Sequence, residues 1–246
     1  MTNNTESNDE QLGTVYLVGA GPGAADLITV RGARLLAQAN IVLHDALVTA
    51  DMLALCPQAI KVSVGKRSGQ RSAAQEHINQ QLVEAAQQYQ TVVRLKGGDP
   101  MLFGRADEEM RALEQAGIRF EIVPGITTAM AAAASVQLPL TKRGVARSVA
   151  LFTSSTAPGE TEETRIPDCD TLIQYMGGRE AILTATRMLA KGFPGTHPVV
   201  IIESCSRPEE KQLHITLAEL AQGLPACDGP VLVMMGESMR TRNISS

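Results

Sequence analysis

Short β-branched apolar runs alternate with amphipathic stretches along the first half of the chain. Thr14–Gly19, Ile41–His44, Ile60–Val64, Thr91–Leu95 and Phe120–Val123 predict buried strands. The clearest helix starts at Ser72, which with Gln75 has the spacing of a capping box. It places Ile78, Leu82, Ala85 or Ala86, and Tyr89 on one stripe and predicts a helix to about Tyr89. Such alternation predicts a mostly parallel sheet covered by helices, with ligands gathered at the carboxyl ends of the strands. The second half repeats the theme less regularly, with strands expected at Ser148–Thr153, Thr171–Tyr175, Val199–Glu203 and Pro230–Met235 and a helix over Arg179–Ala190. The expected organisation is an α/β protein with a polar tail over 1–12, a first α/β lobe over 13–135 and a second over 136–246. Val136–Gly144 is the expected linker and Ser154–Asp170 an expected surface loop.

Composition narrows the class. Hydrophobic residues make up 44% of the chain but aromatics only 3%, and there is no Trp, so the core must be aliphatic. The longest apolar stretches, Thr128–Val136 and Val231–Met235, fall far short of the ~20 residues of a membrane-spanning helix. Met1–Gln11 is polar and acidic, without the basic start and apolar middle of a secretory signal, so a frayed tail and a cytoplasmic location are expected. Cys56, Cys169, Cys205 and Cys227 are widely spaced with no C-x-x-C pair, which argues against a disulfide framework and against a metal site. Net charge is −4, yet Lys61–Arg147 carries 12 Lys and Arg against 8 Asp and Glu. With no basic run and no interleaved aromatics, this basic middle does not suit nucleic acid.

Three glycine-bearing segments follow predicted strands. The first, Gly19-Ala20-Gly21-Pro22-Gly23-Ala24, nominally satisfies a dinucleotide fingerprint, with Asp45 in the place of a ribose-binding acid. Pro22 removes a backbone N–H from the loop, however, and Asp26-Leu27-Ile28 delay the helix until a cap near Thr29, so a dehydrogenase reading is disfavoured. In the second, Arg94-Leu95-Lys96-Gly97-Gly98-Asp99-Pro100, paired glycines let a ligand lie against the backbone with Asp99 facing it. That suits a ribose, an amine and a sulfonium better than phosphate. The third, Val123-Pro124-Gly125-Ile126-Thr127-Thr128, opens an Ala-rich helix over Ala129–Ala134, with Thr127 or Thr128 as cap or ligand contact. A tight turn or a helix cap is the plainer role for each.

The order GAGPG, HDALV, VGKRSGQ, RLKGGDPMLFGR, VPGITTA and LPLTKRGVA resembles the uroporphyrinogen-III C-methyltransferases of the tetrapyrrole methylase family, over about Gly13 to Glu237. The resemblance implies two unlike α/β lobes, a cleft between them holding S-adenosylmethionine, a homodimer, and no metal. It further implies methylation of uroporphyrinogen III at C2 and C7 to precorrin-2, a precursor of sirohaem and cobalamin, with S-adenosylhomocysteine as co-product. The alternative is a sister methylase acting on a later corrinoid precursor.

Carried over by resemblance, the adenosylmethionine contacts are Pro22, Gly97, Gly98, Asp99, Leu102, Thr127, Thr128, Met176 and Cys205. Asp45 is the implied proton acceptor and Lys66 the donor, with Arg105 a competing base. An Arg guanidinium has a pKa above ~12, so Asp45 is chemically the easier base. Arg105, Glu108 and Arg143 match substrate-contacting positions, and the basic middle (Lys66, Arg67, Arg71, Arg105, Lys142, Arg143, Arg147) offers cations for a highly carboxylated substrate. The chain departs from the family pattern at Ala46, Met101, Ala106, Asp107 and Lys142. It also departs at Thr153-Ser154-Ser155, and at Cys205, where a smaller residue is usual and the cofactor is expected to lose some room.

Overall fold

All five strands expected in the first half form, and they lie side by side in the order Ile60–Ser63, Ile41–His44, Thr91–Lys96, Thr14–Gly19, Phe120–Val123. The computed structural model describes residues 12–64, 71–154 and 165–241; the N-terminal tail, Lys66 and Arg67 lie outside these. Two compact units divide at Thr127/Thr128. The first unit runs β1 (Thr14–Gly19), α1 (Val30–Gln38), β2 (Ile41–His44), α2 (Ala50–Leu53), β3 (Ile60–Ser63), α3 (Arg71–Gln88), β4 (Thr91–Lys96), α4 (Ala106–Gln115) and β5 (Phe120–Val123).

Every strand pair in this sheet is parallel. A parallel sheet is covered on both faces, so its strands read as continuous apolar runs. Successive side chains go to opposite faces. Val15 and Leu17 pack with Ile78, Leu82, Ala85 and Ala86 of α3 and Leu113 of α4. Val18, Val42, Val93 and Leu95 pack with Leu36 of α1 and Met52 of α2. The expected delay before the first helix is present: Thr29 is the N-cap of α1, its Oγ1 accepting from Gly32 N at 3.1 Å. In contrast, α3 begins at Arg71, so Ser72 lies inside the helix and is not its cap.

The second unit contains α5 (Thr128–Ser135), β6 (Val149–Thr153), β7 (Thr171–Tyr175), α6 (Gly178–Ala190), β8 (Pro198–Glu203), β9 (Lys211–Thr216), α7 (Leu217–Gln222) and β10 (Val231–Met235). Its sheet has the order β6-β7-β10-β8-β9. Only β6 and β7 are parallel, while β10 runs antiparallel to β7 and β8, and β9 antiparallel to β8. One face packs under α6 and α7 through Ala181, Ala185, Met188, Leu217 and Leu220.

The other face corrects the expected lobe boundary at 135/136. Ala129 and Ala132 of α5 pack with Leu138, Leu140, Ile173, Val200, Ile202, Leu232 and Met234, so α5 and the segment expected as a linker belong to the second unit's core. Thr171 Oγ1 donates to Leu140 O at 2.8 Å, tying that segment to β7. No helix among the described residues is long and apolar enough to cross a membrane.

Candidate functional site

Because β1, β2, β4 and β5 are parallel, the segments that follow them leave from one edge of the sheet, where an open α/β fold gathers its ligands. The first two glycine segments join directly. Gly21 N donates to Gly98 O at 3.1 Å and Gly98 N to Gly21 O at 2.7 Å, a two-residue antiparallel bridge. The third segment closes on the same place. A Cβ built on Gly125 would lie 2.3 Å from Gly98 O and 2.7 Å from Gly19 Cα. Both obstacles are backbone, so Gly125→Ala is expected to force the loops apart at a cost of about 1–3 kcal/mol. Denaturant unfolding checks it. Gly98 is different: its φ is +70° and its Cβ direction meets nothing within 4 Å, leaving open space against the backbone.

Two carboxylates fasten these loops. Asp99, expected to face a ligand, accepts from Met101 N at 2.8 Å through Oδ1 and from Gly125 N at 2.9 Å through Oδ2, so it clamps the second segment to the third. Leu102 N donates to Asp99 O at 3.3 Å, completing a tight turn. Asp45, just past β2, accepts from Leu47 N at 2.9 Å and, across to the second segment, from Gly97 N at 3.2 Å. Pro22 sits half-buried between Gly21 and Gly23.

Arg105 and Glu108, both expected on substrate, hold each other. The guanidinium donates twice, Nε to Oε1 and Nη2 to Oε2, each at 2.7 Å. Behind them lies a cluster that charge counting could not find. Glu109 is 0% exposed and accepts from Arg94 Nε at 3.0 Å and from Lys96 Nζ at 2.7 Å, both nearly buried. Burial pushes the Lys96 ammonium down from its ordinary range, the Arg94 charge adds to this, and Glu109 pulls it back. Arg94 and Lys96 belong to the basic middle by count, yet they are consumed inside the fold. Glu109 also joins β4 to α4, fixing both ends of the 97–105 loop.

In the second unit, α5 starts at Thr128, and Ala129 N donates to Tyr175 Oη at 3.0 Å, which ties the start of α5 to the end of β7. Met176 follows at once, exposed and with a left-handed φ of 55°. Cys205 lies in one core with Ala129 and Tyr175, and Thr128 and Met176 each adjoin a member of that core along the chain. Arg143 stands exposed at the tip of a turn closed by the Lys142–Ala146 bridge. Among the described residues, six non-glycines have positive φ, and five of them are or flank expected site residues: Phe103, Arg105, Met176, Ser204 and Ser206. Left-handed non-glycine backbone concentrates at ligand-binding loops, a signal the sequence does not carry. Lys66 lies outside the described residues, and no group of His, Cys, Asp and Glu among them could hold a metal ion.

A parallel sheet whose strand ends carry knitted glycine loops, with the first α-helix delayed to Thr29, defines an open α/β protein without the phosphate-holding helix end of a dinucleotide dehydrogenase. The sequence pattern of Tetrapyrrole (Corrin/Porphyrin) Methylases matches residues 14–221. Siroheme synthase 2 of Yersinia pestis (strain Pestoides F) is 42% identical over 236 residues, which cover 94% of this chain and 50% of that protein. The chain thus spans about half the length of the curated relatives it matches. The native form of uroporphyrin III C-methyl transferase from Thermus thermophilus superposes with a TM-score of 0.81 at 37% identity, covering 93% of this chain and 94% of that one. The same enzyme complexed with S-adenyl homocysteine gives 0.80 at 38%, with the same coverage. The chain belongs to the tetrapyrrole methylase family.

Proposed function

We propose that this chain transfers methyl groups from S-adenosylmethionine to C2 and C7 of uroporphyrinogen III, giving precorrin-2 and S-adenosylhomocysteine. The observation that carries the reading is the hydrogen bond between Asp45, the proposed base, and the Gly97 amide of the proposed cofactor loop. The proposed base and the proposed cofactor loop are thereby tied to each other. In the first unit the proposed contacts are Pro22, Gly97, Gly98, Leu102 and Thr127, with Asp99 shaping the loop; in the second they are Thr128, Met176 and Cys205. Open space at Gly98 and the presence of carboxylates fit a ribose, an amine and a sulfonium.

Bound there, S-adenosylmethionine supplies an electrophilic methyl on a good leaving group. A porphyrinogen carbon is already nucleophilic, so the chain's main task is alignment, an orientation effect that reaches ~7–11 kcal/mol in favourable cases. The carbon–carbon bond forms as the carbon–sulfur bond breaks, and the Asp45 carboxylate takes the proton lost as the pyrrole system rearranges. Arg105 stays a cation and positions a carboxylate arm. The donor role of Lys66 rests on the resemblance alone.

Arg143 is proposed to grip another arm. Arg143→Ala should raise KM for the tetrapyrrole while sparing S-adenosylhomocysteine affinity; an unchanged KM removes Arg143 from the site. The function itself is tested by anaerobic incubation with uroporphyrinogen III and S-adenosylmethionine, following product mass. A gain of two methyl groups is expected. Methylation only of a later corrinoid precursor would move the reading to a sister enzyme. A homodimer working in the cytoplasm is also proposed, from the resemblance and from four cysteines that are all free thiols; sedimentation of the purified chain tests the dimer.

A further inference from the structure

The turn Ser204-Cys205-Ser206 ends β8, and both serines have left-handed backbone, φ 53° and 60°. Such angles persist in non-glycine residues only where the surroundings impose them. Here the surroundings converge on one half-buried carboxylate that neither the sequence nor the reaction scheme singles out. Glu210 Oε2 accepts from Ser206 N at 2.5 Å, and Oε1 from Gln212 Nε2 at 2.7 Å. Oε1 also accepts from Ser135 Oγ, and the Cys205 thiol donates to the same carboxylate.

These donors come from three places: the turn itself, strand β9, and the last residue of α5, whose first residue is Thr128. The cost of burying the Glu210 charge is outweighed by these hydrogen bonds, which hold its pKa below the ordinary carboxylate range. Burial first, and the negative Glu210 next, push the Cys205 thiol up to about 12. A thiol so placed stays protonated and turned towards the core, where Cys205 is only 4% exposed. Because the Cys205 side chain is buried, the turn offers its backbone and the half-buried Ser206 to whatever meets it from outside.

We propose that Glu210 is a positioning residue for adenosylmethionine: it holds Ser204–Ser206 in the shape that presents backbone to the cofactor and fixes that turn against α5. This rests on the cofactor reading given above.

The test is calorimetry of S-adenosylhomocysteine binding to the full chain carrying Glu210→Ala or Glu210→Gln, with steady-state kinetics beside it. Glu210→Ala is expected to raise Kd, and KM for S-adenosylmethionine, about tenfold or more, with kcat at saturation and KM for the tetrapyrrole little changed. Glu210→Gln keeps one accepting oxygen for Ser206 N and should recover much of the affinity. If the alanine variant does not fold, the glutamine variant carries the test alone, expected to show a smaller rise in Kd. Folded variants that bind as tightly as the parent overturn the proposal, as does an equal fall in affinity for cofactor and tetrapyrrole. Failure of the parent chain itself to bind S-adenosylhomocysteine would instead overturn the cofactor reading.

Discussion

Asp45→Asn is expected to lower kcat by on the order of 10²–10⁴-fold, the range that a positioned general base supplies. The side chain keeps its size, and its remaining oxygen can accept from one of the two amides that Asp45 now serves, Leu47 N or Gly97 N. It cannot take a proton. Binding of S-adenosylhomocysteine, measured by calorimetry, should weaken by less than about tenfold, because one loop hydrogen bond is lost and the glycine bridge persists. A kcat close to that of the parent would take the base role away from Asp45.

Glu109→Ala is expected to destabilise the first unit by about 3–5 kcal/mol, the cost of removing one partner from a buried ionic cluster. Two cations, Arg94 and Lys96, would lose the carboxylate that joins them, in a place where neither reaches water. Arginine cannot shed its charge, but Lys96 can. Its pKa is already lowered by burial and by Arg94, and Glu109 is what opposes that shift. Without Glu109 the folded chain holds the Lys96 proton less tightly still, while the unfolded chain binds it normally up to about pH 10.4. Stability then rises with pH wherever the unfolded state carries more protons. The deficit of the variant should be full near neutrality and narrow as pH rises towards about 10. Urea unfolding at several pH values measures it; a deficit that does not change with pH would show that Lys96 is not the strained cation.

The strands Thr14–Gly19, Ile41–His44 and Thr91–Lys96 are legible because burial on both faces leaves continuous apolar runs; Ile60–Ser63 and Phe120–Val123 form where expected but, as edge strands with exposed positions, are not the buried strands expected. Helix α4 is not legible, since Glu109 occupies a core position on its inner stripe and breaks the apolar period. Strand β9 is an exposed edge strand, Lys-Gln-Leu-His-Ile-Thr, whose alternation is confined to its last four residues, too short a run to stand out from a loop. The Thr216–Glu219 capping box that starts α7 is present in the sequence and could have been read. An Ala-rich helix such as α5 has no polar face to say which sheet it covers, so its allegiance was settled by Leu138, Leu140 and Ile173 in space. Glycine segments could be found from sequence, but not that Asp99 spends both oxygens on Met101 and Gly125. Chemistry-bearing residue types are visible in a chain; their hydrogen-bond partners are not.

The fork between Arg105 and Glu108 changes what it means for an acidic arm to arrive. Both side chains are partly open to water, 41% and 45% exposed, so the pair itself is worth only about 0–1 kcal/mol. On the proposed reading, an acidic arm of the substrate would displace a resident counter-ion and would not neutralise a bare charge. The guanidinium would then select by shape more than it supplied tightness, and a ligand would leave as readily as it came.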